Sequence, residues 1–177
     1  MNKKRRFEKK SDDMQGKIRI LMVCWGNICR SPMAEFILKD MVAKRGIAEE
    51  FHIESAATST EEIGNPVYPP AKRELMAHGI GTSENELGLS MKRARQLSRD
   101  DYDKWDYIIG MEQLNMSYMH RILGGDPEGK VRLLMDFADK EEDIDDPWYT
   151  GDFAGVYRQI LEGCEALLSK LDVTGGK

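Results

Sequence analysis

The chain has 177 residues, 41% of them hydrophobic, which suits one domain with a single core. No run approaches the ~18 apolar residues of a membrane span and the N-terminus carries no apolar signal core, so a soluble, unexported, cytoplasmic protein is the expectation. Seven Lys or Arg stand against three Asp or Glu in residues 1–17, leaving 19 against 28 in the rest, and so acidic a body argues against nucleic acid as the main partner. Three cysteines, Cys24, Cys29 and Cys164, are too few and odd for a disulfide framework. The expected organisation is a basic, disordered tail over 1–16, one domain over 17–172 and a flexible end over 173–177, with a monomer as the default.

Ile18 to Val23 is a short β-prone apolar run that empties into turn-forming Gly26 and Asn27. Ser31 reads as the N-cap of the next helix and Pro32 as its first residue, with Ala34, Ile37, Leu38, Met41 and Val42 at helical spacing up to Gly46. Phe51 to Ala57 alternates like a second strand, so strand, helix and strand form a βαβ unit with a parallel pair. A polar loop from Thr58 to Tyr68 leads to a helix opened by Pro69-Pro70 and stopped at Gly79. Thr82 to Gly88 reads as an insert, and Lys92, Arg93 and Arg95 as a solvated basic helix face. Tyr107 to Met111 is a third strand, Glu112 to Leu123 a helix, and Val131 to Met135 a fourth strand. From Phe153 to Leu171 one face stays apolar for five turns and includes Cys164, which reads as core. Four strands alternating with helices predict a four-stranded, parallel, doubly wound α/β sheet of flavodoxin-like type, with helices on both faces. His52, His78 and His120 have no Cys or His at ligand spacing, so no metal and no cofactor is expected.

The chemistry centres on Cys24 and Arg30. A loop that closes just before a helix turns its backbone N–H groups inward and, with the helix N-terminus, makes a site for a tetrahedral anion. The same field favours the thiolate of a cysteine at its mouth. Arg30 offers a planar fork of donors that matches two phosphoryl oxygens at once. Nucleophile and clamp thus converge on one phosphate at the carboxyl end of the first strand.

Val23 to Glu35 reads Val-Cys-Trp-Gly-Asn-Ile-Cys-Arg-Ser-Pro-Met-Ala-Glu, which resembles the signature of the low-molecular-weight protein tyrosine phosphatases. Ser55-Ala56-Ala57 matches the segment that this family places behind its phosphate loop, which implies that Ser55 supports the loop. Lys92 to Leu97 resembles the family's His-Arg-Ala-Arg-Gln-Leu, with lysine where a histidine helps hold the loop asparagine. Asp146-Pro147-Trp148-Tyr149 resembles Asp-Pro-Tyr-Tyr, in which the aspartate is the general acid. By this resemblance Cys24 attacks phosphotyrosine in a protein substrate, Arg30 and the amides of Trp25, Gly26, Asn27, Ile28 and Cys29 bind the phosphoryl group, and Ser31 gives a hydroxyl to the thiolate. Asn27 would hold a strained turn, Trp148 and Tyr149 would flank an aryl group, and Asp146 would swing over the phosphate on a flexible loop. Cys29 would act as a redox partner, forming a reversible disulfide with Cys24.

The family's cleft tryptophan is absent, Thr60-Glu61-Glu62 standing in that loop, and Tyr68 is an alternative aromatic wall. Rival readings share the fold. Arsenate reductases need a downstream pair of resolving cysteines, and only Cys164 follows. Phosphoarginine phosphatases carry threonine where Ile28 stands. A non-catalytic phosphate-binding module would be marked by loss of Cys24 or Asp146, and both are present.

Overall fold

Strand β1 (Ile18–Cys24) is the spine of the molecule, and its residues Ile20 to Val23 are all fully buried. Its near-continuous apolar run suits a parallel strand covered on both faces. Side chains alternate, so Ile20, Met22 and Cys24 join one core cluster while Leu21 and Val23 join another. The structure, a computed structural model, describes residues 15–171; the tail expected over 1–16 therefore lies outside the described residues but for its last two, and the end expected over 173–177 lies wholly outside them.

Helix α1 (Arg30–Lys44) leads to β2 (Phe51–Ala57), which pairs in parallel with β1 from Ile18 with Phe51 to Cys24 with Ala57. Helix α2 (Pro69–Ala77) and the short α3 (Asp101–Lys104) precede β3 (Tyr107–Gly110), followed by α4 (Gln113–Leu123) and β4 (Val131–Leu133). A one-turn α5 (Pro147–Thr150) and the long α6 (Phe153–Lys170) complete the described chain. The sheet order is β2-β1-β3-β4, all parallel, so the strand order reverses beside β1. That switch point is where an open α/β sheet leaves a crevice at its carboxyl edge. The expected four-stranded doubly wound sheet is the fold observed.

The first core cluster joins α1, α2 and α6 to one sheet face, and the second joins Trp105, Tyr102 and α4 to the other. Helix α6 seats Val156, Tyr157, Ile160, Cys164, Leu167 and Leu168 in the first cluster, each large apolar side chain contributing about 1.5–3 kcal/mol when fully buried. Cys164 is core, as its place on the apolar stripe suggests.

Three local expectations are corrected. Ser31 is not an N-cap: α1 begins two residues before the expected Pro32, at Arg30, and Cys29 holds the cap position. The fourth strand stops at Leu133, because Leu134–Ala138 winds into a 3₁₀ turn. Lys92 to Leu97 is not a solvated helix face. It runs extended, bridging Arg93 to Pro66 and Gln96 to Ala57, and this carries Lys92 inward.

Candidate active site

Cys24 ends β1 and Arg30 begins α1, so the five residues between them must turn within one short loop. The turn is made at Asn27, whose φ of 60° is left-handed, a conformation that asparagine tolerates better than most residues. Its backbone N–H donates to Cys24 Sγ at 3.3 Å, and Ser31 Oγ stands 3.0 Å from the same sulfur. Gly26 lies close under a neighbouring side chain. A Cβ there would meet Cγ of Glu62 at 3.3 Å, so the Glu62 side chain lies directly on the loop.

The strained turn is braced from behind. Asn27 Nδ2 donates to Ser31 Oγ at 2.7 Å and to Ser55 Oγ at 2.9 Å, and Asn27 Oδ1 accepts the Arg95 N–H at 3.2 Å. Ser55 Oγ donates in turn to Glu35 Oε1 at 2.5 Å. Lys92 Nζ donates to the Ser55 carbonyl at 2.9 Å and lies 3.6 Å from Glu35 Oε1, while Lys39 Nζ holds Glu35 Oε2 at 2.6 Å. Burial lowers the Lys92 pKa, partly opposed by the Glu35 charge. Asn27, Ser31 and Ser55 are buried, and their side chains support the loop from behind.

Arg30 is 2% exposed, and its guanidinium has three partners. Nη1 donates to the Ile144 carbonyl at 3.0 Å, and Nη2 donates to Glu112 Oε1 at 3.0 Å and lies 3.4 Å from Asp146 Oδ2. Burial works against this charge, but the hydrogen bond to Glu112 and the charges of Cys24, Glu112 and Asp146 outweigh it and raise the Arg30 pKa further. Asp146 is fixed from its other side, Oδ1 accepting the Trp148 N–H at 3.1 Å as the cap of α5. Its loop is tethered, because Ile144 is fully buried and its N–H donates to the Met111 carbonyl at 2.9 Å. Asp146 thus stands beside Arg30.

Together these groups enclose a cleft of about 180 Å³. Cys24, Gly26, Ile28, Cys29 and Arg30 belong to its phosphate loop, and Trp25, Glu61, Glu62, Asp146, Trp148 and Tyr149 complete the lining. Trp25 is held upright by an edge-to-face contact with Tyr118, centroids 5.3 Å apart, and by its indole N–H donating to Glu61 Oε2 at 3.0 Å. Trp148 and Tyr149 are exposed, and Tyr68 packs behind Trp148 at 5.0 Å without lining the cleft. Burial first, then the negative charges of Cys24 and Asp146, push the Cys29 thiol far up. Glu112 and Ile144 were not read from the sequence as site residues. Glu112 follows β3 at the carboxyl edge of the sheet, and that position was the available signal. Among the described residues, no group of three or more His, Cys, Asp or Glu is arranged to hold a metal ion.

The family model for low molecular weight phosphotyrosine protein phosphatases matches residues 19–175. The low molecular weight protein-tyrosine-phosphatase YfkJ of Bacillus subtilis is 36% identical over 156 residues, 87% of this chain and 96% of the relative. A low molecular weight phosphotyrosine protein phosphatase of Rattus norvegicus is 36% identical over 160 residues, 88% of this chain and 96% of its own length. The crystal structure of Bacillus subtilis YfkJ superimposes with a TM-score of 0.79 at 37% identity, covering 88% of this chain and 94% of that one. A family match over residues 19–175, with relatives 36% identical over most of the chain, settles the relationship: this chain belongs to the low molecular weight phosphotyrosine protein phosphatase family.

Proposed function

We propose that the chain hydrolyses phosphotyrosine in protein substrates through a phosphocysteine. The thiolate of Cys24 attacks phosphorus while the bond from phosphorus to the tyrosine oxygen breaks. Asp146 in its acid form gives the proton that the departing oxygen needs. Asp146, now a carboxylate, then takes a proton from water as that water attacks phosphorus, the S–P bond breaks, and phosphate and the thiolate are released. Arg30 and the loop amides from Trp25 to Arg30 stabilise the charge spread over the equatorial oxygens, and Ser31 supports the thiolate. Asn27 and Ser55 keep the loop in shape. Trp148 and Tyr149 flank the aryl ring, and the apolar Ile28 favours it over a guanidino group.

One observation carries this reading: a cysteine, a buried arginine and an aspartate 3.4 Å from that arginine line a single cleft. All three come from one chain, which supports action as a monomer. Three unpaired thiols among the described residues suit a reducing compartment such as the cytoplasm. The test is phosphate release from matched phosphotyrosine, phosphoserine and phosphoarginine peptides, with chelator present and Cys24→Ser as control. Release from phosphotyrosine alone, abolished in the variant, is expected. Preference for phosphoarginine overturns the role of Ile28, and no release from any peptide overturns catalysis itself.

A further inference from the structure

The wall of the cleft beside Trp25 is acidic. Glu61 and Glu62 both line it, and neither forms an ion pair within 4 Å among the described residues. Each carboxylate is instead held by a neutral donor. Glu61 Oε2 takes the Trp25 indole N–H at 3.0 Å, and Glu62 Oε2 takes Asn65 Nδ2 at 2.6 Å. Both are thus fixed in place with their charge uncompensated and further acceptor positions open. Among the described residues the only cation lining the cleft is Arg30, and it is buried and engaged with Glu112, Ile144 and Asp146. A peptide that brings phosphotyrosine into this cleft with its neighbouring residues along this wall meets these two carboxylates.

We propose that Glu61 and Glu62 select substrates whose phosphotyrosine is flanked by Lys or Arg and reject those flanked by Asp or Glu. This rests on the phosphotyrosine reading and refines it. A basic flank meets one or two fixed carboxylates at the cleft mouth, and an acidic flank is repelled by the same pair. At these partly solvated separations the discrimination amounts to roughly five- to tenfold in kcat/KM at low ionic strength, shrinking as salt screens it.

The experiment compares kcat/KM for three phosphotyrosine peptides that differ only in flanking Lys, Asp or Ala, at low and high salt, for wild type and Glu61→Gln/Glu62→Gln. The expected order is Lys over Ala over Asp, compressed by salt, with the Lys-to-Asp ratio falling towards one in the variant. The ratio is taken within one preparation, so a partly folded variant does not disturb it. A wild-type ratio near one, or a ratio that the double substitution leaves unmoved, overturns the proposal. Failure to hydrolyse any of the three, with free phosphotyrosine also inert, overturns the phosphotyrosine reading instead.

Discussion

Asp146 is held by two opposed contacts, a backbone N–H on one oxygen and Arg30 on the other, so its carboxyl faces the phosphate site without first having to move. If it supplies the proton, Asp146→Ala slows turnover by about 10²–10⁴-fold for aryl phosphates with basic leaving groups and much less for acidic ones. A leaving-group series measures this, and equal slowing across it removes Asp146 from the acid role. Cys29 poses a second residue-scale question. Its buried thiol, pushed far up by burial and by the Cys24 charge, is a poor competing nucleophile. If it is the redox partner of Cys24, peroxide would first take Cys24 to the sulfenic acid, and the Cys29 thiol would then condense with it, releasing water and leaving a disulfide that thiol reductants reverse. Peroxide-treated wild type should regain activity with dithiothreitol and Cys29→Ser should not; mass spectrometry that finds no Cys24 to Cys29 link removes the pairing. Lys92 was misread because a charged side chain is taken as solvated unless a counter-charge is visible. Its partner, Glu35, lies on another element and leaves no trace in local spacing.

At the scale of elements, the strands were legible because each is a short apolar run bounded by turn formers, and α6 because its stripe persists for 18 residues. The short α3 and α5 escaped notice: four residues are barely one turn and set no period. The start of α1 was misplaced by two residues because Ser31-Pro32 has the form of a cap, whereas its serine hydroxyl is spent on the loop between β1 and α1. Helix α6 also contains Gly163, an expensive residue inside a helix by about 1 kcal/mol relative to Ala. The structure supplies the reason: a Cβ there would meet Cγ of the fully buried Leu134 at 2.6 Å. Gly163→Ala should therefore destabilise the protein by about 1–3 kcal/mol despite the better helix former. Calorimetry should show a loss of about 2–4 °C in Tm per kcal/mol, and a raised Tm refutes so close an approach.

For the whole molecule, five carboxylates are held low, and apart from the solvent-facing Glu86 four of them bear on the acid limb of stability. Burial favours the neutral form of Asp101, Asp106, Asp126 and Glu54, and in each it is outweighed. Arg95, the Ser98 N–H and Trp105 hold Asp101 low, Arg19 holds Asp106, Tyr102 and two backbone N–H groups hold Asp126, and His52 holds Glu54. Groups whose folded pKa is depressed stabilise the protein above their unfolded values, near pH ~4, and that contribution is lost as pH falls through the folded ones. Urea midpoints should hardly change for this reason between pH 7 and about pH 5 and should fall steadily below pH ~4. Asp101→Asn should shrink the fall while lowering the neutral midpoint; an unchanged acid limb would remove Asp101 from it. The site as a whole was half legible. The phosphate loop and Asp146 lie in contiguous motifs, but Glu112 and Ile144 reach Arg30 from 82 and 114 residues away, a relation that only the closed sheet creates. Ile144 gives its carbonyl to Arg30 and its N–H to Met111 just past the third strand, so it is a keystone shared by the loop that ends in Arg30 and the segment that leads to Asp146. If Arg30 grips phosphate and Asp146 carries the acid, a motion that lifts one would slacken the other, and departure of the product and withdrawal of the proton donor would become a single event.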